Sequence, residues 1–313
     1  MPTTLKASPH VLTDDLTPSS AVTPSGAAGE ALCAAWWSPA DGAVRLRRRR
    51  EGPAELMLHV STLESVVAVA GCAEAGAAGG SWGAVGALGL SSGRVLVLRP
   101  APRAHRALHA HSAPIADLAL CPRVSLLVTA SVDGVVVLWD LNDLTYIRTL
   151  PNRAQLSVRC VAVSETLSDV ATVHEPPPPG AGSPDNREYE RDSSYRYRSL
   201  VRVHTVNARF VGSVRVSEPV SCACYSLAPE GVSVNVLAVG LSTGGVRLFS
   251  SWDLRPVAFL PPARPHPLLS LTFSCDSQLL FACFADGTVL AWESADGGAR
   301  APAVRLLPAH ALL

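Results

Sequence analysis

Three segments of the chain carry the Gly-x-Ser-x-Gly spacing that can raise a nucleophilic serine: Gly79 to Gly83, Gly89 to Gly93 and Gly240 to Gly244. A hydrolase needs that serine on a sharp strand-turn-helix elbow. Two of the three run straight into another apolar strand, Val95 to Leu98 and Val246 to Phe249, and the third lies in a Gly/Ala-rich loop. Ser91, Ser242 and Ser81 are therefore read as turn residues rather than nucleophiles. His105, His109 and His111 sit close together, but no cysteine or carboxylate joins them at a spacing that suits zinc. Lys6 is the only lysine, so a Gly-x-x-x-x-Gly-Lys phosphate loop cannot form. The cysteines at 33, 72, 121, 160, 222, 224, 275 and 283 contain no Cys-x-x-Cys pair and mostly lie in apolar runs, which fits a reducing compartment. Taken together, these residues predict no enzyme, no catalytic residue, no metal site, no cofactor and no small-molecule substrate.

The elements that would hold such residues point the same way. With 48% hydrophobic and 17% charged residues in 313, the chain can bury a sizeable core and is not mostly disordered. Its 26 basic residues balance 26 acidic ones, so it lacks the electrostatic footprint of sequence-independent nucleic-acid binding. Residues 1–29 read as a disordered leader with no apolar secretory core, and residues 30–313 as the folded part. Ser65 to Gly93 holds one charge, Glu74, in 29 residues, yet its eight glycines favour two buried strands, Ser65 to Val69 and Ala84 to Leu90, over a membrane span. The run Arg45, Arg47, Arg48, Arg49 and Arg50 alternates with Val44 and Leu46 at its start, as the exposed end of an edge or hairpin strand would; a modest membrane-surface contribution stays open.

Short runs of Val, Leu and Ala recur between Gly, Asp, Ser and Pro, with no sustained helical period, which is an all-β pattern. Several runs follow a small or acidic residue and a glycine, at Gly42, Gly93, Gly134, Gly244 and Gly287. The steps are 51, 41, 110 and 43; setting aside the 24 low-complexity residues 174–197 leaves room in the long step for two repeats of 43. A hidden repeat is therefore expected there, with its third strand over Ser199 to Thr205 and His204 where other repeats carry tryptophan. Six recognisable four-stranded blades at this period predict a β-propeller, compatible with an incomplete seven-blade ring.

The clearest blade, His111 to Leu150, ends its third strand on Leu138-Trp139-Asp140. Here the chain resembles WD40 repeats. The resemblance implies a structural blade-locking group of His111, Thr129 or Ser131, Asp133 and Trp139, with Asp286 and Trp292 as its partial counterpart in the last blade. A buried indole N–H and a turn carboxylate each need such partners. The segment 174–197, with Pro176 to Pro179 and then mixed charged and polar residues, is expected to be a disordered insertion in the hairpin between the second and third strands of its blade. In WD40 propellers that hairpin shares a face with the connections between blades, so Ser183, Tyr189 and Tyr195 mark the expected partner face, and Ser183-Pro184 is a candidate phosphorylation site.

Longer strings carry a narrower resemblance: Leu127 to Leu150, Ser164 to Val173, Glu230 to Val257, Leu268 to Phe281 and Asp286 to Glu293. In these the chain resembles the carboxyl-terminal propeller of BEACH-domain proteins, in the branch concerned with lysosomes and related organelles. The resemblance implies a noncatalytic protein-interaction scaffold in lysosomal trafficking, acting in vesicle fusion and fission and in organelle size. It implies partners among proteins of the endosomal and lysosomal trafficking machinery and a cytoplasmic location, peripheral to endosomal and lysosomal membranes. The alternative is a WD40 interaction module of another pathway, such as a ubiquitin-ligase substrate adaptor. The chain shows no BEACH domain and no preceding pleckstrin-like module, so it is expected to be a fragment or truncated product of such a scaffold.

Overall fold

A computed structural model describes residues 34–38, 43–47, 55–59, 66–71, 86–98, 105–152, 155–176, 197–227, 235–263, 265–274, 277–293 and 304–305. The proposed leader, Ser81, Arg48 to Arg50, and the partner-face residues Ser183, Tyr189 and Tyr195 lie outside them.

All described sheets are antiparallel. The first has three strands, β1 (Ala34–Ser38), β2 (Ala43–Arg47) and β3 (Glu55–His59). Arg45 and Arg47 thus lie on a middle strand, in register with Trp36 and Ala34. Five sheets have four strands in sequence order. They are β4 (Val66–Gly71), β5 (Gly86–Leu90), β6 (Arg94–Leu98) and β7 (His105–His109); then β8 (Ile115–Cys121), β9 (Leu126–Ser131), β10 (Val136–Asp140) and β11 (Tyr146–Thr149). They continue with β12 (Val158–Val163), β13 (Asp169–His174), β14 (Ser199–Thr205) and β15 (Phe210–Val216), and with β16 (Val220–Tyr225), β17 (Val236–Leu241), β18 (Val246–Ser250) and β19 (Pro256–Leu260). The last comprises β20 (Leu268–Phe273), β21 (Leu279–Phe284), β22 (Val289–Glu293) and β23 (Val304–Arg305). Among the described residues, the six expected four-stranded blades are five, with one three-stranded sheet. The propeller class stands, and the strand inferred for the hidden repeat is β14.

The first strands of successive sheets pack side by side, in the order β4, β8, β12, β16, β20. Apolar side chains from neighbouring sheets interlock between them. Ala68, Val95 and Val97 pack with Leu118, Leu127 and Leu141, and Val201 and Val203 pack with Val239 and Leu241. The second strands β5, β9 and β13 are buried along their whole length, and β13 buries Asp169, Thr172 and His174 among its apolar residues. Charged side chains also join sheets: Asp117 Oδ2 on β8 accepts from Val161 N on β12 at 3.0 Å.

In four sheets the turn from the second to the third strand is tied to the residue that precedes the first strand. Val132 N donates to Pro114 O at 3.1 Å, Glu175 N to Ser157 O at 2.9 Å, Ser242 N to Pro219 O at 2.9 Å and Ala285 N to Pro267 O at 2.9 Å. Hairpin turns and inter-sheet connections therefore share one face. The turn glycines Gly93, Gly134, Gly244 and Gly287 all have φ between 80° and 93°, the left-handed region where only glycine is unstrained. After β13 the chain reaches this face at Glu175 and Pro176, the residues that precede 177–196. His174 is the last residue of β13 and pairs with Leu200, which moves it out of the insertion; its ring is buried against the connection.

Candidate functional site: the insertion-bearing face

The best-formed polar group on this face is built by the second sheet. Trp139 Nε1, on β10, donates to Thr129 Oγ1 on β9 at 3.0 Å, and His111 Nε2 from the entering connection lies 2.8 Å from the same oxygen. Thr129 is fully buried and faces Val137 across the hairpin. Burial lowers the His111 pKa, while the Asp133 carboxylate opposes that shift. Asp133 Oδ1 itself accepts from Val135 N at 3.1 Å and so shapes the turn. Ser131 stands apart from the indole: its hydroxyl donates to Pro114 O at 3.0 Å and lies 3.3 Å from Ala113 O. Of the two hydroxyls the sequence offered, Thr129 meets the tryptophan, and Ser131 holds the connection.

The third sheet rebuilds this group with other residues. Thr172 holds the Thr129 position, opposite Arg202, but its hydroxyl meets His174 Nε2 at 2.8 Å on its own strand. His174 Nδ1 lies 3.3 Å from Leu156 O in the entering connection. Donation from Nδ1 leaves Nε2 to accept from Thr172, which requires a neutral ring. Burial first, then the charge of Arg202, pushes the His174 pKa down to about 4. His204 takes the tryptophan position, opposite Val170 as Trp139 stands opposite Leu127. A bulge in the outer strand, at Ile147 and at Val211, brings the first residue of that strand opposite each ring, which stands edge-on to it, Tyr146 at 6.1 Å and Phe210 at 5.5 Å.

In the last sheet Asp286 Oδ1 accepts from Thr288 N at 3.0 Å, as Asp133 does from Val135, and Asp286 Oδ2 lies 3.7 Å from His266 Nε2. Ala282 stands at the threonine register position, so no strand hydroxyl faces Trp292 there. This partial counterpart was legible in Asp286 and Trp292. His174 was not, because a histidine beside Pro176 reads as the start of the low-complexity run.

Asn152 fastens the connection between the second and third sheets. Its Nδ2 donates to Gly134 O at 2.9 Å and to Leu156 O at 2.8 Å, while its Oδ1 accepts from Arg202 Nη1 at 3.3 Å. Beside it a groove of about 360 Å³ opens between the third and fourth sheets, with Arg159, Glu175, Pro176, Arg198, Pro219 and Ser242 in its wall. Arg159 Nη1 and Glu175 Oε1 are 3.6 Å apart.

The serines of the hydrolase spacing lie in hairpin turns, Ser91 between β5 and β6 and Ser242 between β17 and β18. Ser242 Oγ donates to Pro219 O at 3.0 Å, which commits its proton to a backbone carbonyl. Among the described residues, no three His, Cys, Asp or Glu side chains gather to hold a metal ion. Within the same residues, no helix is long and apolar enough to cross a membrane.

On the opposite face, Asp169 at the start of β13 is buried close to the Tyr225 hydroxyl at the end of β16. Burial pushes the Asp169 pKa up to about 6 despite the opposing charge of Arg209. Tyr225 is shifted upward too, by its own burial and then by Asp169.

Comparison with known proteins agrees with this geometry. The family model "WD domain, G-beta repeat" matches residues 103–140 and 258–293. Each match starts at the outer strand of one sheet and runs through the third strand of the next, so the sequence repeat staples neighbouring blades. The chain is 40% identical to human "Lysosomal-trafficking regulator" over 186 residues, 59% of this chain and 4% of that protein. It is 30% identical to the Drosophila melanogaster protein of the same name over 214 residues, 59% of this chain and 6% of the relative. Human "WD repeat- and FYVE domain-containing protein 4" is 25% identical over 190 residues, 57% of this chain and 5% of its own length. The chain thus spans only a small part of the relatives it matches. In fold, it resembles a chain in the crystal structure of the mitotic checkpoint complex, with a TM-score of 0.60 at 15% identity, over 84% of this chain and 73% of that one. The chain thus carries WD40 repeats and is similar to a small part of the lysosomal-trafficking regulators.

Proposed function

We propose that this WD40 propeller, similar to part of the lysosomal-trafficking regulators, is a noncatalytic docking module that engages trafficking proteins through its insertion-bearing face. The observation that carries the reading is the sequence similarity to those regulators, which extends well beyond the two stretches matched as WD repeats. Fold alone would be silent, because propellers of this class serve many functions. The geometry supports a scaffold: hydroxyls on this face hold turns and connections, with Ser242 bonded to Pro219 and Thr129 to Trp139. In this reading the module works in the cytoplasm, in a BEACH-type scaffold or as a short chain of its own, and reaches endosomal and lysosomal membranes through its protein partners.

A docking module expressed in excess competes for partners by mass action. Expressing the full chain in cultured cells and measuring lysosome diameter tests this. The expected result is a change in lysosome size that scales with expression; an unchanged distribution at high expression would overturn the reading.

A further inference from the structure

The five complete sheets share a detail at the entrance of their first strands: each carries a bulge at its second residue, at Val67, Ala116, Arg159, Ser221 and Leu269. A bulge inserts an unpaired residue and re-aims its side chain, and such bulges concentrate at rims and next to binding sites. Four of the five residues are uncharged. Of the five, Arg159 alone is charged, and its side chain is 45% exposed. It lies in the wall of the groove between the third and fourth sheets, together with exposed Arg198. Among the described residues of its wall, two guanidinium groups stand against the one carboxylate of Glu175, a positive balance in a chain whose formal net charge is zero. Glu175 stands 3.6 Å from Arg159, a carboxylate already facing the guanidinium that an incoming one would meet. Pro176 and Pro219 supply apolar wall on either side.

We propose that this groove is an anchor site for an acidic peptide segment of a protein partner, with Arg159 and Arg198 receiving its carboxylates and Glu175 competing for Arg159. Planar guanidinium groups bind carboxylates in a fixed fork geometry, so two on one wall select side-chain acids rather than bulk negative charge. A concave site of this size, with two arginines, suits a peptide; an anionic membrane attracts broad polybasic surfaces. The inference rests on the docking reading above and gives that face its chemistry.

The test is fluorescence anisotropy of fluorescein-labelled hexaglutamate with the full chain at low salt, with labelled hexalysine as the opposite-charge control. Binding of hexaglutamate alone is expected, weakened about tenfold or more by combined Arg159→Ala and Arg198→Ala. Glu175→Gln is expected to tighten it. Arg255→Ala, on the opposite face at a residue 84% exposed, is expected to leave it within about twofold. Matching thermal melts show that each variant is folded. The proposal is overturned if hexaglutamate does not bind, if hexalysine binds equally, if the double variant binds as the parent does, or if Arg255→Ala weakens binding as much. It is also overturned if the chain sediments with phosphatidylserine vesicles through Arg159 and Arg198 while hexaglutamate is ignored. Should the double variant still change lysosome size, only this groove assignment fails; should neither chain do so, the docking reading itself fails.

Discussion

Trp139 Nε1 lies 3.0 Å from Thr129 Oγ1, and that one buried oxygen also meets His111 Nε2 at 2.8 Å. A strand hydroxyl thus connects the end of the third strand to the connection that enters the blade. Replacing Thr129 by Val keeps the shape and removes the shared partner of both rings. Leaving a buried donor unsatisfied costs ~1–3 kcal/mol. Chemical denaturation should show Thr129→Val destabilised by about that amount, with Trp139→Phe adding less than its separate cost in the double variant. Strict additivity would mean that the two residues do not act together.

Turn glycines should differ in cost despite their shared backbone shape. A methyl group on Gly134 would meet Leu156 O at 2.5 Å and Asn152 Nδ2 at 2.6 Å, whereas at Gly287 nothing lies within 4 Å. Gly287→Ala pays backbone strain of about 1 kcal/mol, and Gly134→Ala must also displace the connection. The second variant should melt at a clearly lower temperature than the first; equal melting temperatures would count against the close packing of that connection.

His174 should set part of the acid limit of stability. Its folded pKa of about 4 lies below the ordinary 6.5, because burial and then Arg202 disfavour the charged ring, with His204 adding a smaller push. The stability it contributes is complete above about pH 6.5 and falls as pH drops through 4, by at most about 3 kcal/mol. His174→Gln should flatten the stability profile between those pH values, as read by urea denaturation at a series of pH values.

Asp169 acts in the opposite sense. Its pKa is raised to about 6, so the protonated form suits the fold, and its contribution is complete below about pH 3.8 and lost as pH rises through 6. Asp169→Asn mimics the protonated acid beside Tyr225. It should stabilise the chain at pH 7.5 and give little gain at pH 4; an equal effect at both would contradict the assignment.

The β13–β14 hairpin should stand without the 20 residues between Pro176 and Tyr197. His174 pairs with Leu200, Glu175 N bonds to Ser157 O, and the Tyr197 ring faces Arg215 at 5.4 Å, so the hairpin is held at both flanks. Replacing residues 177–196 by a short Gly-Ser linker should leave the melting temperature nearly unchanged. A large drop would show that the segment supports the sheets.

The sequence made the propeller legible because its punctuation is local. A glycine with φ between 80° and 93° precedes the third strand in four sheets, and the unequal step between Gly134 and Gly244 exposed β14 before any contact was known. The choice between Thr129 and Ser131 was not legible, because residues two apart share a strand face and only the reach of the connection separates them. Arg159 was likewise invisible. A bulge at one residue of β12 turns its side chain to the rim, and nothing in an apolar run beginning Val158-Arg159-Cys160 announces that turn. Asp169 and Tyr225 approach each other across two sheets, a relation carried only by the order of β12 and β16 around the core.

Proximity biotinylation with the full chain fused to a biotin ligase tests the central claim most directly, because it reports which proteins gather around the propeller inside the cell. Strong enrichment of endosomal and lysosomal trafficking proteins is expected over an unrelated WD40 propeller carrying the same ligase. Enrichment of ubiquitin-ligase subunits instead, with trafficking proteins at background, would contradict it.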